Sequence, residues 1–288
     1  MILNEPLVFT DAGYFFGIHA PGKRGFPNFF PAAHHAAICQ AEGARIIKSL
    51  FPQSKVGTTF SYSHIDRVSD KERDLMAAKK VDTLLNRFFL EPLLGRPYPI
   101  YDLSLLGCIE KYMKQGDDQL LAFDMNFIGL QNYTREIVKY SPFNLFLQAK
   151  IVNVEKRNGF HTAMNWEVHP PSIYKALHRL SEYKEIKEII VTENGAAFED
   201  VVINDAVDDF HRKNYLQKYI EQVLRAKLEG VNVTGYFVWT LLDNFEWAKS
   251  LHPRFGLVHD DFISQKRIIK SSGHWYGEFL KNKKSFFE

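Results

Sequence analysis

Cysteine is almost missing from this 288-residue chain, with Cys39 and Cys108 the only two. Two thiols without CxxC spacing cannot build a disulfide framework, a zinc ribbon or a dithiol redox centre, and they fit a reduced intracellular compartment. A charge excess is missing too. Lys and Arg number 36 against 34 Asp and Glu, a net charge of +2. The two signs are interspersed, so there is no basic stripe for a phosphate backbone and nucleic acid is excluded as a partner. No run of about 18 apolar residues occurs, and Met1 to Thr10 has no basic stretch leading into a long apolar one. The expectation is a soluble, cytoplasmic chain with no membrane partner.

Repeats, low-complexity tracts and linkers are absent as well, so residues 1–288 read as a single domain. The glycines from Gly13 to Gly17 do not form GxGxxG after a strand, HExxH does not occur, and no cofactor is expected. His34 and His35 are adjacent, and neighbours on a helix point about 100° apart, which suits structural histidines better than a shared metal. Asn132-Tyr133-Thr134 and Asn232-Val233-Thr234 match the glycosylation tripeptide, but both fall in strand-like runs where the amide would be inaccessible.

Apolar and aromatic side chains are abundant. Hydrophobic residues make up 45% of the chain and aromatic ones 14%, including 24 Phe and 13 Tyr, enough for a large core and for flat rings in a sugar cleft. Strand-like runs occur at Met1–Asn4, Lys55–Ser61, Phe127–Tyr133, Ile186–Thr192 and Val231–Thr240. Helical spacing separates them, most clearly over Asp208–Glu229 and also over Ala36–Leu50, Asp70–Leu90, Ser104–Lys114 and Ser172–Tyr183. Strand and helix in alternation predict an α/β fold with a parallel sheet. The tail Lys281-Asn282-Lys283-Lys284 reads as a solvated end.

Glu5, in Asn4-Glu5-Pro6, and Glu193, in Thr192-Glu193-Asn194-Gly195, each stand at the exit of a strand-like run. Cleavage of a glycosidic bond needs one carboxyl to protonate the departing oxygen and a second to meet the developing cationic carbon. Only a fold that gathers strand ends on one face brings such distant residues to the roughly 5 Å that a retaining mechanism uses. A parallel barrel does so, but it needs eight strands, and five are legible.

The order of motifs resembles glycoside hydrolase family 1, the β-glucosidase family, over essentially the whole chain. The resemblance rests on Asn4-Glu5-Pro6, His19-Ala20-Pro21-Gly22, His34-His35, Asn86-Arg87 with Glu91-Pro92, Trp166-Glu167, Thr192-Glu193-Asn194-Gly195, the run Trp239 to Trp247, and Arg254-Phe255-Gly256-Leu257. It implies a TIM (β/α)8 barrel, incomplete at its N-terminus, with about five βα units present. Three further units would supply a glutamine, a histidine and a tryptophan to the sugar site and an arginine beside the nucleophile. The resemblance makes Glu193 the nucleophile and Glu5 the acid/base, with environments that separate their pKa values. It implies Asn4 on the sugar 2-hydroxyl, Tyr133 orienting Glu193, Trp239 under the ring, Glu246 and Trp247 on the outer hydroxyls with Phe255 behind them, and Trp166 on the leaving-group side. Gln131 stands where many relatives have Asn, and Asn132 where many have Tyr.

A glutamate at 246 would repel a phosphosugar, and an intact Glu5 suits an oxygen leaving group. The implied activity is retaining hydrolysis of terminal β-D-glucosyl O-glycosides, with small β-glycosides or oligosaccharides as partners and no metal. The alternative is a catalytically inactive fragment that acts at most as a sugar-binding or assembly partner, with self-association through open barrel edges.

Overall fold

The computed structural model describes residues 1–282. Its centre is a parallel sheet of Gly57–Ser61, Phe127–Gln131, Ile189–Asn194 and Val233–Val238, adjacent in that order. Gly57 pairs with Phe127, Ile128 with Ile189, and Ile189 with Val233. The N-terminal segment adds a fifth, irregular member. Ile2 donates its amide to Gly57 O at 2.9 Å, Glu5 donates to Thr59 O at 3.1 Å, and Asn4 bridges Thr59 in parallel. The five expected strand-like runs are therefore the members of this arc. Every residue of Phe127–Gln131 is buried, as befits a parallel sheet covered by helices.

The principal helices follow the apolar spacing, with local departures. Asp208–Glu229 was expected as a helix and Phe210–Leu228 is one, burying Tyr215, Leu216, Tyr219, Ile220 and Val223. Ser172–Tyr183 becomes Pro171–Ser181, with proline in the first turn, where its missing N–H costs no bond. The helix expected at Ala36 begins at Phe26, because Phe29, Phe30 and Ala33 extend the buried face past Pro31. Asp70–Leu90 is not continuous. It runs as Glu72–Asp82, a wider π turn over Thr83–Arg87, and Phe88–Leu93. Ser104–Tyr112 is wound as 3-10 turns.

The excursions beyond the sheet's C-terminal ends left little sequence signal. His64–Arg67, Arg135–Tyr140 and Ala149–Ile151 form a small sheet, and Val258–Asp260 pairs with Arg267–Ile269. Most of these positions are half-buried or exposed, so no alternation marks them. Lys281 closes a final helix, Ser271–Lys281, with its ammonium 2.8 Å from Glu278; the rest of the expected solvated tail, Lys283-Lys284, lies outside the described residues. Asn132 is buried, whereas Asn232 is exposed, so the expected inaccessibility holds for the first tripeptide only. His34 is buried between Tyr98 OH at 3.1 Å and Asp117 Oδ2 at 2.9 Å. Among the described residues, no helix is long and apolar enough to cross a membrane.

Candidate active site

The parallel arrangement delivers Glu5, Gln131, Tyr133, Glu193 and Trp239 to one end of the sheet. Glu193 is the penultimate residue of the run Ile189–Asn194. Its Oε2 accepts the Tyr133 hydroxyl at 2.5 Å, and its Oε1 accepts the Gln131 amide. The same Gln131 nitrogen donates to Asn4 Oδ1 at 2.7 Å, so one amide ties the nucleophile candidate to the residue before Glu5. Burial raises the Glu193 pKa and the Tyr133 bond opposes it, with a further upward contribution from Glu246.

Glu5 has a backbone φ of 45° and ψ of 63°, the left-handed region that a non-glycine residue occupies at a cost of about 1–3 kcal/mol. Its amide bond to Thr59 O and the helical turn Pro6–Thr10 hold it there. Burial pushes its carboxyl up to about 7, and the charge of Glu193 adds to that. Ser61 acts in the opposite direction by hydrogen bonding, while Asp11 and Glu246 reinforce the rise. A carboxyl near 7 is poised to give and retake a proton at neutral pH.

The remaining candidates form two groups. Trp239 donates its indole N–H to Glu246 Oε1 at 3.1 Å, and Trp247 lies exposed with its ring 6.1 Å from His19. Trp166 packs 5.0 Å from Tyr133, and Phe255 completes the cluster at 6.0 Å from Trp166 and 6.3 Å from Tyr133. Phe255 thus packs on the Tyr133 side. Asn4 is exposed.

Several further residues brace the strand ends and loops of the site. Asn194 donates to Asn132 O at 2.6 Å and to Tyr215 OH at 3.0 Å, and accepts from Tyr236 at 2.6 Å. Asn132, the departure from the common tyrosine, donates to Tyr62 O at 2.8 Å and accepts from Ser172 at 3.0 Å. It braces the strand end from behind. Glu167 accepts from Arg135 at 2.8 Å, and Glu91 from Arg87 at 2.7 Å, so these motif glutamates are scaffolding. Beneath the loop that carries Glu246, Lys270 stands 2.5 Å from Asp200 and 2.8 Å from Asp243. Asp243 also accepts the Gly256 amide at 2.8 Å, which fixes the turn beside Phe255. Asp200, Asp243 and His259 converge closely enough to hold an ion, but Lys270 already bridges the two carboxylates, with Arg212 also on Asp200 and Arg254 also on Asp243.

Residues 1–285 match the profile of glycosyl hydrolase family 1. The chain belongs to that family. It is 39% identical over 284 residues to the 1,4-β-D-glucan glucohydrolase of Thermotoga neapolitana, covering 97% of this chain and 63% of that protein. It is 38% identical to β-glucosidase A of Thermotoga maritima, covering 97% and 62%. Among solved structures, the AHE enzyme of Alicyclobacillus herbarius superposes with a TM-score of 0.92 at 33% identity, over 98% of this chain and 63% of that one. The family 1 β-glucosidase of T. maritima in complex with isofagomine lactam gives a TM-score of 0.89 at 36% identity, over 97% and 62%. The family 1 chain therefore spans just under two thirds of the length of these relatives, and its five-membered arc is an incomplete version of their barrel.

Proposed function

We infer that the chain carries the catalytic pair of a retaining β-glycosidase acting on neutral β-glucosides. The observation that carries this reading is the Glu193 carboxylate held by Tyr133 and Gln131 beside Glu5, whose pKa that carboxylate helps to raise to about 7. In the first step protonated Glu5 gives its proton to the glycosidic oxygen while Glu193 attacks the anomeric carbon; the sugar–oxygen bond breaks and a glycosyl ester forms. With the glycosyl ester neutralising Glu193, the repulsion on Glu5 falls, and its carboxylate takes a proton from water as that water attacks the anomeric carbon. Glu193 leaves as a carboxylate. Trp239 serves as the sugar platform, Asn4 as the 2-hydroxyl partner, Glu246 and Trp247 as outer-hydroxyl partners, and Trp166 with Phe255 as the aromatic wall on the leaving-group side. The carboxylate of Glu246 disfavours a phosphorylated sugar. A cytoplasmic location and the absence of nucleic-acid and membrane partners belong to the same reading.

The test is hydrolysis of an aryl β-glucoside by the chain and by Glu193→Gln, with labelling by a 2-deoxy-2-fluoro-β-glucosyl fluoride. The expected result is turnover in the parent alone and a glycosyl adduct on the peptide containing Glu193. A folded parent with neither turnover nor adduct overturns the reading. The exposure of Asn4 favours a second reading, a sugar-binding or assembly chain that does not turn over. Saturable glucose binding without an adduct supports it.

A further inference from the structure

Behind the helical turn that follows Glu5 lies a cavity of about 800 Å3, within the range that encloses a small ligand. Phe15, Phe16, Phe26, Phe29 and Phe146 line it. Phe146 comes from the loop joining Arg135–Tyr140 to Ala149–Ile151 and stands edge-on to Phe26, with centroids 5.2 Å apart at 74°. That loop therefore closes one side.

The same wall carries one acidic side chain, Asp11. It opens the helical segment Asp11–Phe15, and its carboxylate accepts the amide of its neighbour Ala12. Burial pushes the carboxyl up to about 7, opposed by the Ala12 amide. An acid facing aromatic rings is the complement of an ammonium ion on an apolar frame. Attraction between opposite charges strengthens away from bulk water, and ring faces attract cations. Lys150, the basic residue of this wall, is exposed, and solvent and salt screen its opposition.

We propose that this cavity is a binding site for a hydrophobic ammonium ion, with its charge on Asp11 and its apolar body among the phenylalanines. The cavity adjoins Glu5, whose pKa Asp11 helps to raise, but neither Glu5 nor Glu193 lines it, and the proposal stands whether or not the chain hydrolyses glycosides.

The experiment compares three probes of one shape, 4-phenylbutylammonium, 4-phenylbutan-1-ol and 4-phenylbutanoate, by titration calorimetry on the full chain at pH 8. The ammonium is expected to bind at least tenfold tighter than the alcohol, and the carboxylate weakest. Asp11→Asn should bring the ammonium down to the alcohol's affinity, while Phe146→Ala weakens both alike. The ammonium's affinity should fall as pH drops below about 7 and Asp11 takes a proton, with Glu5 and Lys150 the other charged groups near it. Equal binding of ammonium and alcohol, or tightest binding of the carboxylate through Lys150, overturns the proposal. The comparison on the unsubstituted chain decides the matter even where Asp11→Asn fails to fold.

Discussion

Gly195 lies against the backbone of Trp239 so closely that a Cβ on it would fall 1.9 Å from the Trp239 carbonyl oxygen. The contact joins the strand end that presents Glu193 to the one that presents Trp239, the proposed sugar platform, and only a residue without a side chain permits it. Gly195→Ala is expected to force the two strand ends apart. The cost should be several kcal/mol, as for severe overpacking. Urea denaturation and near-ultraviolet circular dichroism of the indole check it, and an unchanged midpoint would sink the argument.

The Tyr133 hydroxyl favours the ionised form of Glu193 by donating to it. Tyr133→Phe removes a bond to a charged group worth about 1.5–3 kcal/mol. Glu193 should then take up a proton at higher pH. In a chain that turns over, kcat should fall by about tenfold to a hundredfold, and the acidic limb of the pH profile should move upward. A downward move would contradict the assigned direction.

Burial of Leu130, Val191 and Ile189 is what their sequence announced: unbroken apolar runs have no polar face to turn outward. Glu5 and Glu193 were legible because each follows such a run. The bridge from Gln131 to both Asn4 and Glu193 was not, since it joins side chains from three strands and depends on register. Asp243 stood inside a recognised motif, but its partner Lys270 belongs to no pattern. Asp11 was silent for the opposite reason. One acid among apolar neighbours looks like a surface turn until the cavity it lines is seen.

Glu5 should make stability depend on pH. Its folded-state pKa of about 7 exceeds the ordinary value of 4.5, so the folded chain holds this proton more tightly than the unfolded one. The associated stability is fully present below about pH 4.5 and is lost as pH rises toward 7. Glu5→Gln should match the parent in urea at pH 4 and exceed it by up to about 3 kcal/mol at pH 8. Asp11 shifts in the same direction but is common to both proteins. A difference independent of pH would remove Glu5 as the source.

Lys270 is fully buried between Asp200 and Asp243. Lys270→Met keeps the length of the side chain and removes the cation shared by two carboxylates, leaving Asp200 with Arg212 and Asp243 with Arg254, a loss of about 3 kcal/mol. The Asp200→Asn/Lys270→Met double variant should recover part of it, because the buried excess of negative charge falls by one while Arg212 keeps Asp209. Chemical denaturation of both proteins distinguishes this from a simple packing defect, for which the second substitution would bring no recovery.

The outer edge of the sheet offers the last prediction. Among the described residues, Val233–Val238 pairs with Ile189–Asn194 on one side only. Phe237 on that strand is 60% exposed, and a cavity of about 330 Å3 beside it is lined by Tyr236, Tyr276 and Leu280. An unpaired, apolar parallel edge is a template for further strands, and a lysine placed on it blocks that pairing. The chain should therefore show concentration-dependent association in sedimentation velocity, and Phe237→Lys should shift it toward the monomer without lowering its unfolding midpoint. A parent that sediments as a single monomeric species at every concentration would show that this edge attracts nothing, and the exposed ring would then be ordinary surface.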